Sequence, residues 1–393
     1  MFSSLTGPLP SSGLILTIAF LVQVACGRDA DARTWRVARD GSGDYVTIQP
    51  AVDAASPGDT IRIGPGQYTE TTLFPPPRGK DFWPKPTHLV VTVDDLTVIG
   101  AGPRRTILGP DTPDPSTDGP AGVITDAAVS TLLMRDLTIE GGYFGMLLTA
   151  DVDVIDCEIR DCGYGIDHQD RYHLAVTGCF FQAMHCGIDT RFHSDATIAK
   201  CWFQDTDTGI YSVGASLVRV QDTEFGNVGI AMQFIHIHAI VQSCHVDHSH
   251  WGAVVLDCGA SVHLSNNVLD TSDGYYSLVA TGPSQVEGSG NVFSGGSEAT
   301  LFFSKTAVGL QGNRILRGDG ELVHLAYYTQ TPPRTLDMRY NDWGTTDAAE
   351  IATWIWDGHD DPEIQAIVLY EPFVGQPQGT VQASWGEVKA SYR

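Results

Sequence analysis

Basic residues are scarce in this 393-residue chain: 23 Lys and Arg stand against 47 Asp and Glu, a net charge of −24. So acidic a chain repels nucleic acid and anionic membranes, and neither is an expected partner. The acids are spread along the sequence, which reads as an acidic surface rather than a charged tail. Long apolar runs are also missing beyond the N-terminus, so no later segment is expected to span a membrane. The eight cysteines show no paired short spacing of the zinc-site kind. Charged residues make up only 18% of the chain and hydrophobic ones 42%. With 42 Gly and 21 Pro, the composition suits one large domain, or two ordinary ones, with many turns.

The first 32 residues read as an export signal. The run "LILTIAFLVQVA", Leu14 to Ala25, is apolar but too short for a membrane span. Lipidation at Cys26, after "QVA", is one processing route. Cleavage after the small-x-small run Ala30-Asp-Ala32 is the other. No Lys or Arg precedes the run, which departs from the usual signal pattern. The expected location is extracellular, periplasmic or lipid-anchored.

The rest of the chain repeats. Glycines recur at 145, 165, 187, 209, 229, 252 and 274, with spacings of 20 to 23 residues. A second column keeps the same beat: Cys157, Cys179, Cys201, Thr223, Cys244, Asn267, Asn291 and Asn313. Two places after each comes a large apolar residue: Ile159, Phe181, Phe203, Phe225, Val246, Leu269, Phe293 and Ile315. Alternating apolar pairs such as Val152 with Val154, and Leu174 with Val176, precede the column. One such unit cannot bury its own apolar face, whereas stacked units bury a continuous core. Like residues then lie over like residues at a spacing of ~4.8 Å. The Cys column is expected to pack as buried thiols, although an exported protein also permits disulfides. The Asn column is expected to hydrogen-bond along the stack.

This pattern resembles the right-handed parallel β-helix proteins of the pectin-lyase-like fold. "RVARDGSGDYVTIQPAVDAASPGDTIRIGPGQYTE", residues 36–70, is similar to the opening of pectin methylesterases. The resemblance implies an all-β solenoid of about 22-residue coils. The spacing of Ile48, Val52 and Ala55 predicts a helix that covers its N-terminal end. Residues 341–374 are expected to cap the far end. Asp347 with Glu350 reads as a helix start, Ile351, Trp354 and Ile355 share one helical face, and Gly358 ends it. The expected organisation is an export signal over 1–32, a β-helix over 33–340, a cap over 341–374 and a polar tail over 375–393. A monomer is expected.

Candidate chemistry sits in a near-duplication, "YGIDHQD" at 164–170 and "CGIDTRFH" at 186–193. The Gly is read as a turn, the Ile as inward and the Asp as outward. The Asp column is read as Leu147, Asp167, Asp189, Tyr211, Ala231, Val254 and Tyr276, so only two adjacent coils carry carboxylates. Two such carboxylates repel unless a cation, a proton or solvent lies between them. Around them cluster His168, Asp170, Arg171, Arg191 and His193, and Gln233 and His236 are expected at the same corner.

Three chemistries fit. Paired acids suit glycoside hydrolysis. Carboxylates holding Ca²⁺, with Arg191 or His193 as base, suit β-elimination of a uronate. Metal capture is the third, and a second cluster serves it: His245, Asp247, His248 and His250 in "CHVDHSHWG". Some β-helix proteins serve periplasmic copper assembly, which the resemblance keeps open. The expected role is lyase- or hydrolase-like action on an acidic or neutral polysaccharide, uronate-containing by preference. Asp167, Asp189, Arg191 and His193 are the expected catalytic residues. His168, Asp170, Arg171, Tyr211, Gln233 and His236 are expected to bind substrate. A non-catalytic glycan-binding or structural β-helix is the alternative. Gln204-Asp-Thr206 and Gln221-Asp-Thr223 echo one methylesterase segment, but they fall in different columns. The other catalytic segments of that family are missing, so methylesterase chemistry is not expected.

Overall fold

The computed structural model describes residues 32–74, 85–117, 119–169, 171–192, 194–215, 217–329 and 333–376. The apolar run 14–25, Cys26, Asp170, His193 and the tail from 377 lie outside the described residues.

The repeat becomes a stack of parallel coils. One wall is a 14-stranded parallel sheet that runs from Thr34–Val37 to Ala366–Leu369 and takes one strand per coil. Its central strands are short, as in Asp151–Ile155, His173–Thr177 and Asp195–Ala199, and they alternate buried and outward residues. The remaining walls come from longer strands. These include Thr138–Leu148, Glu158–His168, Phe180–Arg191, Trp202–Val213, Glu224–Ile235 and His245–Asp257. Each pairs in parallel with the next. Parallel neighbours in one sheet need crossovers, and here each crossover is the rest of a coil. An antiparallel pairing joins Thr72–Phe74 to Lys85–Val91 near the N-terminal end.

The long strands bend at residues with left-handed backbone: Asp161, Ala183, Asp205, Asn227 and His248. Two further corner columns share that conformation. One contains Asp156, Gly178, Lys200, Asp222, Ser243 and Asn266; the other contains Phe192, Gly214, His236 and Cys258. Asp and Asn tolerate this conformation better than most residues, because their short polar side chains bond locally.

The core follows the predicted columns. Ile159, Phe181, Phe203, Phe225, Val246, Leu269, Phe293 and Ile315 are all buried. Phe181 stacks on Phe203 at 4.7 Å between centroids, and Phe203 on Phe225 at 4.9 Å, with planes within 8° of parallel. Cys157, Cys179, Cys201 and Cys244 are buried free thiols. The Asn ladder forms as expected. Asn267 Nδ2 donates to Asn291 Oδ1 at 2.9 Å, and Asn291 Nδ2 donates to Asn313 Oδ1 at 2.8 Å. It runs one coil further than the sequence reading placed it, because Asn313 Nδ2 donates to Asn341 Oδ1 at 3.2 Å.

The glycine column needs correcting. Gly187 is not a turn residue but lies inside the strand Phe180–Arg191. A Cβ there would sit 2.5 Å from the Gly209 carbonyl and 2.6 Å from the Phe203 ring. The stacked rings therefore demand the missing side chain. The column does not continue to Gly229. Thr208 pairs with Ile230 and Ile210 with Met232, so Gly209 lies beside Ala231.

Both ends carry short helices. Gln49–Asp53 buries Ala51 and Val52. Ala348–Thr353 starts at Asp347, whose side chain accepts from the Ala349 N–H at 2.9 Å. The C-terminal helix is shorter than predicted. Glu350 accepts from Thr345 Oγ1, and Ile355 leaves the helix for a strand, Ile355–Trp356, that pairs with Glu321–Ala326. Pairing with the last full coil satisfies the backbone there, and the helix ends to allow it.

Candidate active site

One outward column organises the candidate residues. Val90, Ile124, Leu147, Asp167, Asp189, Tyr211, Gln233 and Val255 stand in register on successive strands. Ile124 and Leu147 belong to a small apolar cluster outside the main core, with Ala121 and Phe144. Phe74, Tyr143 and Tyr164 pack against that cluster. The carboxylates begin where it ends.

This register corrects the predicted column. Gln233, not Ala231, follows Tyr211, and Val255 and Val279 replace Val254 and Tyr276. The pairing of Glu224–Ile235 with His245–Asp257 also shifts register between Val228 and Ile230. Counting from Gly229 and Gly252 misses the true phase.

Asp167 and Asp189 are direct register partners. Both are nearly inaccessible, at 2% and 1% exposure. Gln169 Nε2 donates to Asp167 Oδ1 at 2.6 Å. Arg191 Nε donates to both oxygens of Asp189, at 2.8 and 3.0 Å, and its Nη2 reaches Oδ2 as well. Its guanidinium carbon lies 5.8 Å from the Tyr211 ring centroid. The bond to Asp189 holds the Arg191 guanidinium in its charged form, far above the usual range. Arg191 therefore cannot act as the base that the sequence suggested; it is a fixed cation. Burial pushes the Tyr211 hydroxyl upward, against the opposing pull of Arg191.

Two further residues belong here that the sequence reading passed over. Tyr164 and Cys186 pair in register beside the carboxylates. Burial, then the charges of Asp189 and Asp167, drives the Cys186 thiol well up, so it stays protonated. Burial raises the Tyr164 hydroxyl too. Their signal was the position just before each "GID", held by Tyr164 in one copy and Cys186 in the other.

Other candidates disperse. His168 faces the interior at 0% exposure, with Nε2 3.0 Å from the Ala150 carbonyl and Nδ1 without a partner. Burial lowers its pKa, which makes it a neutral core residue rather than a sugar ligand. Arg171 is exposed on the turn that follows. His236 is exposed at a corner, φ 53°, in the column of Gly214 rather than that of the carboxylates. Asp170 and His193 lie outside the described residues.

Neither metal site fits. Among the described residues no three His, Cys, Asp or Glu side chains converge on one point. Asp189 is already clasped by a guanidinium, which would repel Ca²⁺ at that pair. In the second cluster His245, Asp247, His248 and His250 are all exposed. His248 Nδ1 bonds Asp247 at 2.6 Å, while His250 Nε2 turns to Asn227 Oδ1 at 3.3 Å. The left-handed bend at His248 breaks the strand alternation, so the three imidazoles do not gather.

No family model matches the chain. Pectinesterase 31 of Arabidopsis thaliana is 34% identical over 83 residues, 20% of this chain and 22% of that protein, so the match spans about a fifth of the relative. Among solved structures, the mannuronan C-5 epimerase AlgE6 A-module of Azotobacter vinelandii is similar over 75% of this chain and 81% of its own, at 14% identity and TM-score 0.43. The catalytic unit of a GH87 alpha-1,3-glucanase from Streptomyces thermodiastaticus is similar over 90% and 70%, at 11% identity and TM-score 0.48. A mannuronic acid specific polysaccharide family 6 lyase from human gut microbiota is similar over 86% and 91%, at 9% identity and TM-score 0.37. The chain's own strand order and register make it a parallel β-helix, the stacked-coil architecture anticipated from its repeats.

Proposed function

We propose that the protein cleaves a polysaccharide by glycoside hydrolysis, with Asp167 and Asp189 as the reacting pair. The observation that carries this reading is their direct register on adjacent strands. Adjacent strands lie ~4.8 Å apart, a close pairing that suits the retaining mechanism better than the wider spacing of the inverting one. Arg191 keeps its charge beside Asp189, which suits Asp189 to the anionic role. Asp189 attacks the anomeric carbon while Asp167 gives its proton to the glycosidic oxygen. Water then releases the sugar from Asp189 and returns a proton to Asp167, with net retention. Tyr211 and Gln233, next in the column, hold the neighbouring sugar unit in this reading. The lyase alternative loses Arg191 as its base, held as it is on Asp189, which leaves His193 to carry it. Action outside the cytoplasm, with or without a lipid at Cys26, rests on the apolar run 14–25 and belongs to the same proposal.

A second reading is a glycan-binding protein without turnover. The near-complete burial of both carboxylates favours it, since a sugar must displace their cover to reach them. The test is incubation of the full chain with a panel of neutral glycans and polyuronates, with and without chelator. New reducing ends without unsaturated products support hydrolysis. Unsaturated products overturn it in favour of elimination. Retention of a glycan with neither product overturns it in favour of binding.

A further inference from the structure

The column that holds the carboxylates continues beyond Gln233. It runs through Val255, Val279, Phe302, His324 and Trp356, one residue per coil. Phe302 lies five coils past Asp189, or ~24 Å along the stack. There the outer surface changes character. The rings of Trp251, Tyr275, Tyr276, Phe302 and His324 touch in sequence, with centroid separations of 5.2, 6.4, 5.5 and 5.3 Å. Trp356 stands in register beside His324 on the next strand.

These rings are not core. Trp251 is 61% exposed, Tyr275 44% and Trp356 39%. Tyr276, Phe302 and His324 are half-buried between them, and a run of aromatics left partly open to solvent in this way marks a contact site. Its edges are polar. His324 Nδ1 bonds Glu321 at 2.6 Å, and His248, bonded to Asp247, lies 3.6 Å from Asp273. Glu298 adds to the burial that raises the Tyr276 hydroxyl. The charges that act on the ribbon through these contacts are therefore acids.

We infer that this ribbon is a distal binding surface for a neutral glycan chain lying along the solenoid axis towards Asp167 and Asp189. The inference rests on the glycan reading and narrows its substrate class. Pyranose rings present apolar C–H faces that pack on exposed aromatic faces, while their hydroxyls meet the polar edges. Acids at those edges would repel a polyuronate and accept bonds from a neutral sugar. A protein partner is a poorer fit, because interface cores exclude charge and these rings are interleaved with it. A linear occupant also matches the shape: Phe302, His324 and Trp356 continue the column of the reacting pair, and Trp251, Tyr275 and Tyr276 extend the ring contacts to its side on neighbouring coils.

The experiment is affinity electrophoresis of the full chain in gels containing dextran, xylan, glucomannan or polygalacturonate, with Trp251→Ala, Tyr275→Ala and the double variant. Both side chains are exposed, so the variants are expected to keep the wild-type circular dichroism. Retardation by a neutral polymer should fall about tenfold in apparent affinity for each single variant. That result supports the ribbon whether or not cleavage occurs, so it survives failure of the hydrolase reading. Neutral-polymer affinity unchanged in the variants overturns the ribbon and leaves hydrolysis at the Asp pair untouched. Tighter binding of polygalacturonate through the same rings overturns the neutral class. Absence of binding to any polymer overturns the inference, and a dimer broken by Trp251→Ala would reassign the patch to self-association.

Discussion

Arg191 and Asp189 sit two residues apart on one strand, yet they meet side by side, with Nε 2.8 Å from Oδ1 and 3.0 Å from Oδ2. Residues i and i+2 share a face of a strand, so the pair is built into a single coil. Asp189 is 1% exposed, and the Arg191 guanidinium bonds both of its oxygens. Arg191→Met should therefore reduce turnover by about a hundredfold or more. Arg191→Lys keeps the charge but loses the fork, and should fall between the two. Steady-state kinetics of both variants across pH check this. Equal loss in both would point to packing instead.

Asn291 is the middle rung of the polar ladder. Its Oδ1 accepts from the Asn267 N–H and Nδ2, and its Nδ2 donates to the Leu264 carbonyl and to Asn313 Oδ1. Asn291→Leu keeps the volume but orphans several buried groups, at a cost of about 2–4 kcal/mol. Urea unfolding of the variant measures it directly.

Gly187→Ala places a methyl group against the Phe203 ring and the Gly209 carbonyl. Overpacking of this kind costs about 1–3 kcal/mol. The double variant Gly187→Ala, Phe203→Leu should recover part of the loss, because the two sites share one contact. Thermal melts of the four-member cycle give the coupling.

Native thiol chemistry should be confined. Burial pushes the Cys244 thiol up to about 12, and Cys157, Cys162, Cys179, Cys186 and Cys201 are buried with it. Cys258 alone is exposed among the described cysteines. A thiol reagent at pH 8 should label Cys258 in the folded protein, and the six buried thiols only after denaturation. Mass mapping of the labelled sites decides it.

Asp94 provides a pH signature. The Ser130 hydroxyl, with the N–H groups of Thr131 and Ser130, lowers its pKa to about 2 from an ordinary value of 3.8. The folded value lies below the unfolded one, so its contribution is complete above about pH 4 and is lost as pH falls towards 2. Asp94→Asn should therefore narrow its stability deficit against wild type over that window and keep it constant from pH 5 upward. Chemical denaturation at a series of pH values tests the slope.

Much of this structure was legible in the sequence because a solenoid repeats its physics. The Cys, Asn and Phe columns each occupy one interior position per coil, so their spacing carried the fold. The glycines misled after Gly209, because the interior needs only a small residue there and Ala231 serves as well. That freedom erased the mark that would have kept the count, and it displaced Gln233 from its place beside Tyr211. The left-handed corners were written in Asp156, Asp161, Asp205, Asp222, Asn227 and Asn266, whose regular spacing encodes backbone shape rather than chemistry. At the site, Asp167 and Asp189 were readable as a pair. The inward turn of His168 was not, since it depends on the corner that follows.

The central claim is that Asp167 and Asp189 together cleave a glycan. The most direct measurement is release of reducing ends from a bound polymer by wild type, Asp167→Asn and Asp189→Asn, with the anomer of the first product read by NMR. The account predicts cleavage with retention in wild type and near-complete loss in each variant, with polymer binding preserved. Cleavage that survives both substitutions, or a product of inverted configuration, would contradict it.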